Sequence, residues 1–273
     1  SSGVHFLIKD INGTIHLIED ESGLKNHLGF SIIGRSRPDE KTFESFLDAL
    51  TLDKSEGGDD ILRIGEIEYG FLRLEDIEFA LDVGRNKLNL KRFQSKLYDG
   101  SVFGTGLFEF DGKGEKRRYD FSFLFKDLSL KEASDSIPTR DYITGRIDGV
   151  GWLSNIGGKL GTIDGAFNFW PIKSKKEPKT IGRALLTQLG VREKLLLRSS
   201  RKYDKGRIYG YIRSGIITFK ELEISHTILG VKDLIIRVDS KRNSISVAHL
   251  LSVIRETAKR ASEGRLKIEF ENK

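Results

Sequence analysis

Chemistry-bearing side chains are sparse in this chain and badly spaced for catalysis. The five histidines are His5, His16, His27, His226 and His249. His5 and His16 could face each other across a first hairpin, but two imidazoles do not hold zinc without further ligands. There is no cysteine, which removes disulfides, thiolate metal sites and cysteine nucleophiles. No GxSxG elbow, HExxH pair or Walker A run occurs. The stretch "SNIGGKLGT" has the look of a phosphate loop, but Gly158-Lys159 lacks both the following Ser/Thr and the earlier glycine. Asp148 and Asp164 each precede a glycine, where turn chemistry accounts for them. The expectation is a protein that is not an enzyme and takes no metal or cofactor.

Charge is the second chemical resource. The chain has 273 residues and a net charge of +6. Between Pro171 and Arg213 there are thirteen Lys or Arg against three acids, so the rest of the chain is net negative. Such a block suits phosphate-bearing partners. Lys173, Lys175, Lys176, Arg198, Arg201 and Lys202 are the candidates to meet anionic head groups, and a plain solvated surface explains them equally well. Tyr203, Tyr209 and Tyr211 are interleaved with this charge and could stack bases. The basic density, however, falls on a turn and a helix rather than through the strands, which does not favour nucleic acid.

The elements that must position these groups are mostly strands. Alternating segments are punctuated by Gly, Asp-Gly and Asn-Gly, at the spacing of a meander, sandwich or solenoid. "GFSIIG" (29–34) is read as one of these short strands. In "YDFSFLFKDLSL" (119–130), Tyr119, Phe121, Phe123 and Phe125 share one parity, and Asp120, Ser122, Leu124 and Lys126 the other. In "FLRLEDIEFALDV", Leu72 and Leu74 fall on one parity and Ile77, Phe79, Leu81 and Val83 on the other. A β-bulge at Glu75-Asp76 would restore a single apolar face. Val102, Gly104, Gly106, Phe108 and Phe110 share a face, with glycines that mark bending or close approach. Helical spacing appears in 37–50, 180–190 (resuming through "VREKLLLRS") and 246–261. Loops are expected at 52–61 and 171–180, within one continuous sheet. No apolar run approaches the roughly 20 residues that span a bilayer. The leading Ser1-Ser2-Gly3 and the absence of methionine suggest a section of a longer protein.

"LRLEDIEFALDVGRNKLNLKRFQSKLYDGSVFGTGLFEF" (72–110) resembles the AsmA-like family of Gram-negative envelope proteins, the group of TamB, YhdP and YdbH. The "LYDGSVFGTG" element (97–106) fits the family's "lygG...g.g" pattern. Residues 127–169 look like the next element, and 185–225, with Gly206, Gly215 and Glu221-Leu222, like the C-terminal portion. The likeness spans residues 61–251, rests on structural glycines and apolar positions, and transfers no catalytic residue. "NSISVAHLLSVIRETAKR" also looks like a strand-to-helix step of the group.

The resemblance implies an all-β dominated fold, a long curved antiparallel sheet (a β-taco with an open U-shaped groove) with about three short amphipathic helices. Residues 1–273 would be a single AsmA-like β domain of a longer periplasmic protein. An N-terminal anchor outside this chain would hold it in the inner membrane. It implies a lipid-binding or lipid-transfer role, with phospholipid or another anionic lipid as partner and other envelope proteins as further partners. The groove-lining candidates are Ile77, Phe79, Leu81, Phe108, Phe121, Phe123 and Phe125; an ordinary packed core accounts for the same residues equally well. The alternative is an outer-membrane assembly factor that engages β-barrel proteins through its sheet edges.

Overall fold

The computed structural model describes residues 6–13, 15–18, 28–52, 60–69, 72–110, 117–135, 143–188, 200–237 and 243–262. One open sheet of 13 strands dominates it. The chain runs β1 (Phe6–Gly13), β2 (Leu17–Ile18), α1 (Leu28–Ile33), α2 (Glu40–Leu52), β3 (Asp60–Tyr69), β4 (Leu72–Gly84), β5 (Lys87–Leu97), β6 (Gly100–Phe110) and β7 (Arg117–Ser129). It continues through α3 (Leu130–Asp135), β8 (Ile143–Thr144), β9 (Arg146–Ile156), β10 (Ile163–Ile172), β11 (Thr180–Gly182) and α4 (Arg183–Gln188). Last come β12 (Ser200–Lys202), β13 (Lys205–Arg213), β14 (Ile216–Ile228), β15 (Val231–Arg237), β16 (Ser244–Ser246) and α5 (Val247–Ser262).

Strand order in the main sheet is β1-β3-β4-β5-β6-β7-β9-β10-β13-β14-β15, with β16 also on β14 and β2 running parallel to β4. All other pairings are antiparallel, as a meander of near neighbours requires. Tight turns set the register: Tyr98-Asp99 and Ser214-Gly215 have positive φ at both central residues, the geometry that matches strand twist. The expected bulge is present. Register shifts between Glu75 and Glu78, Asp76 sits at φ 50°, and Ile77 and Phe79 follow Leu72 and Leu74 onto one face.

Three expectations are corrected. "GFSIIG" is not a strand; most of it forms α1, because so short a stretch carries no period that separates strand from helix. The sheet is not alone: β12-β11-β8 make a second, three-stranded sheet, and part of the expected 171–180 loop enters it at Thr180. Five helices, not three, occur among the described residues, α1 and α3 being single turns that periodicity does not reveal. The resumption through 191–199 lies outside the described residues.

Helices α1 and α2 cover one face of β6, β7 and β9. Ile33, Phe43, Phe46 and Leu50 pack there on Leu124 and Val150, with Phe103, Trp152 and Trp170 alongside. The α1 backbone lies directly on the strands: Gly29 N donates to Thr105 Oγ1 at 2.8 Å, and a Cβ on Gly29 would overlap the Ser122 side chain. Glycine on the helix and small residues on the strands make that approach possible.

Candidate apolar binding face

Register turns the strand parities into rows across the sheet. Phe79 opposes Phe93, then come Gly104, Phe123, Gly151, Phe167, Gly210 and Phe219, each paired with the next. Phenylalanine and glycine thus alternate across β5 to β14. The row on one side runs Leu90, Gly106, Phe121, Leu153, Gly165, Ile212 and Ile217. The row on the other runs Val102, Phe125, Gly149, Phe169, Ile208 and Leu222.

The glycines are where the rings lie. A Cβ on Gly151 would sit 2.5 Å from Phe123 Cζ, on Gly104 2.6 Å from Phe121 Cζ, and on Gly210 2.6 Å from Phe167 Cζ. Each ring therefore lies over a neighbouring strand's bare backbone, and the pattern demands glycine for space rather than for backbone torsion. Ring centroids follow one another from Phe121 to Phe123 at 6.2 Å, Phe125 at 5.5 Å, Phe169 at 5.7 Å, Phe167 at 6.0 Å and Phe219 at 5.9 Å. Such pairs contribute about 0.5–1.5 kcal/mol each beyond area burial.

This face is the one α1 and α2 leave alone. On β7, Asp120, Ser122 and Leu124 are buried beneath the helices, whereas Tyr119, Phe121, Phe123 and Phe125 are only half-buried. Its flanks are closed by protein. At one end Val247 and Leu250 of α5 pack with Ile163, Ile212 and Ile217. At the other, Ile181, Leu186 and Tyr203 of the small sheet and α4 pack with Ile224, Leu234 and Ile236.

All seven groove candidates fall on this face. Phe79, Phe108, Phe121, Phe123 and Phe125 are half-buried, while Ile77 and Leu81 are buried, Ile77 at 1% exposure. Sequence reading missed Phe93, Phe167, Phe169 and Phe219. The signal for two of them was the Phe167-x-Phe169 alternation facing Gly149-x-Gly151, visible only once β9 and β10 are paired.

The basic candidates do not line the rows. Lys173, Lys175 and Lys176 are exposed in the β10–β11 connection, Arg201 and Lys202 lie on β12, and Arg198 is outside the described residues. Of the tyrosines, Tyr203 is buried and donates to Thr144 O at 2.9 Å; burial pushes its hydroxyl pKa up. Tyr209 lies under the Arg37 guanidinium at 4.0 Å.

The most buried charge is structural. Arg146, at 2% exposure, binds Asp127 at 2.6 Å and Asp99 at 2.8 Å, and caps the Asp99 and Asp127 carbonyls. Burial alone would lower its pKa, but these hydrogen bonds outweigh that and hold it raised, while Arg146 holds the Asp99 carboxyl below its usual range. Buried Glu177 accepts from Ser129 Oγ, Lys131 N and Gly145 N, tying the β10–β11 connection to the end of β7. Among the described residues no three His, Cys, Asp or Glu side chains gather into a metal-binding group, and no helix is long and apolar enough to cross a membrane. His5 and His27 lie outside the described residues.

Comparison of the chain with family models, with curated proteins and with solved structures returns no match.

Proposed function

We propose that this chain is a lipid-binding module of the AsmA-like type, working in the bacterial periplasm to carry phospholipid between membranes. The observation that carries the reading is the aromatic face: an apolar surface continuous over β5 to β14, half-exposed at its centre, with no helix from α1 or α2 upon it. Acyl chains would lie along the Phe/Gly rows, in a groove formed by the sheet, while head groups stay wet. Each methylene removed from water contributes about 0.8 kcal/mol, so area alone holds a chain and no catalytic group is needed. A repeated row, rather than one deep pocket, suits passage, because no station binds much more tightly than the next.

Delipidated protein incubated with phospholipid and examined by native mass spectrometry tests this. Retained lipid, lost in Phe123→Asp at a temperature where circular dichroism shows that variant still folded, is the expected result. Absence of retained lipid in the wild type sinks the reading. In that case the sheet-edge alternative gains, since edge strand β1 exposes Ile8 and Ile11, the latter at 64%.

A further inference from the structure

The β14–β15 hairpin ends in Ile228-Leu229-Gly230-Val231, and this tip obeys neither turn chemistry nor solubility. Leu229 and Gly230 have φ of 47° and 81°. Both central positions are therefore left-handed, where Asn, Asp or Gly belongs and a branched apolar side chain is strained. Tyr98 has the same conformation for a packing reason, since it sits against Leu97, Val102 and Leu128. Leu229 has none: it is 99% exposed, and Ile228 and Val231 beside it are 52% and 69% exposed. A strained, fully exposed leucine points to an occupant that the isolated chain lacks.

The surroundings identify the occupant. Lys232 pairs with Thr227 directly behind the tip. Thr227 N donates to Asp204 Oδ2 at 3.2 Å, which brings the β12–β13 turn alongside with Lys202 and Lys205, and Lys179 Nζ reaches Asp204 O at 3.2 Å. Of the nearby acids whose side chains are described, Asp204 accepts from Thr227 N, and Glu223 accepts from Arg237 and from Lys232 itself. The tip projects one to two residues beyond this basic collar, about 3–7 Å at strand rise. That is close to the roughly 5–10 Å to which apolar groups of peripheral proteins enter a bilayer interface. A four-residue convex tip offers far less than the roughly 800 Å² per partner of a stable protein interface.

We propose that the β14–β15 tip is a docking point for an anionic bilayer, with Leu229, Ile228 and Val231 entering the acyl boundary and the lysine collar meeting lipid phosphates. This does not depend on lipid being carried on the aromatic face.

Co-flotation with phosphatidylethanolamine–phosphatidylglycerol vesicles, against phosphatidylcholine vesicles, tests it. Wild type should float with the anionic vesicles and lose most of that binding in high salt. Leu229→Asn suits the turn, so its melting midpoint should hold or rise while vesicle affinity falls about tenfold. Lys202→Glu with Lys232→Glu should abolish the preference for anionic vesicles. Phe123→Asp should float like wild type, which separates this docking from lipid retention. Failure of wild type to float, equal flotation of Leu229→Asn, or a dimer in sedimentation that Leu229→Asn disperses would each overturn the proposal, the last in favour of a second copy as partner.

Discussion

The two faces of β7 reverse the usual order of burial. The more polar one, with Asp120, Ser122 and Leu124, lies beneath α1 and α2, and Leu124 is fully buried. The aromatic one stays half-exposed. Much of the polarity on the covered face is used: Thr105 receives Gly29 N, and Arg35 reaches Asp120 at 3.7 Å and Ser154 at 3.5 Å. Asn168 bonds Pro38 O, and the Trp152 indole donates to Ser36 O at 2.9 Å. Small and hydrogen-bonded residues let a helix backbone come close, while rings on glycine make a smooth surface that needs no cover to be ordered. Hydrophobicity decides which faces can be buried; shape and partner groups decide which one is.

The contrast can be broken at its covered side first. Phe46→Ala removes a fully buried ring from the helix–sheet core and should cost about 3–5 kcal/mol in urea unfolding. On the open side Phe123→Ala should cost about 1–2 kcal/mol, and a larger loss than Phe46→Ala would mean that the aromatic face is the true core.

Next comes the glycine lattice. Gly151→Val drives a side chain into the Phe123 ring and should cost about 1–3 kcal/mol. If the ring is the cause, adding Phe123→Ala should return about 1 kcal/mol or more as coupling; additive costs would refute the close approach.

The smallest effect belongs to Asp148, which lies opposite Trp170 and accepts Asp127 N at 2.8 Å. Burial is the main cause of its raised pKa, so the ionised form is disfavoured in the folded state. Its penalty is absent below the ordinary aspartate value and grows as pH rises through that value to the raised one. Asp148→Asn keeps an acceptor, so it should melt slightly higher than wild type at neutral pH and no higher near pH 3.5. A gain of the same size at both would exclude ionisation as its cause.

Much of the sheet was legible because strands write locally. The parity switch at Glu75-Asp76 foretold the bulge, since Asp accepts the left-handed φ that a bulged residue takes. The Phe and Gly parities of β6 and β7 were equally plain. What was hidden is non-local. Nothing in "GFSIIG" says helix, because its conformation is fixed by Gly29 settling on Thr105 and Ser122. The small sheet joins residues near 144, 181 and 201, each segment too short to show a period. Phe167, Phe169 and Phe219 became part of the candidate face only when register carried the Phe/Gly alternation past β7. The basic residues, grouped by sequence, turned out to border the small sheet instead.

Among the described residues β1 and β15 are the two ends of the main sheet. Eleven strands in series, spaced about 4.8 Å apart, give the sheet a run of about 50 Å along its hydrogen-bonding direction. A further strand joined at either edge would extend that run by one more spacing and leave the pattern across it unchanged. The reach of the sheet in that direction is thus set by strand count alone, at one spacing per strand.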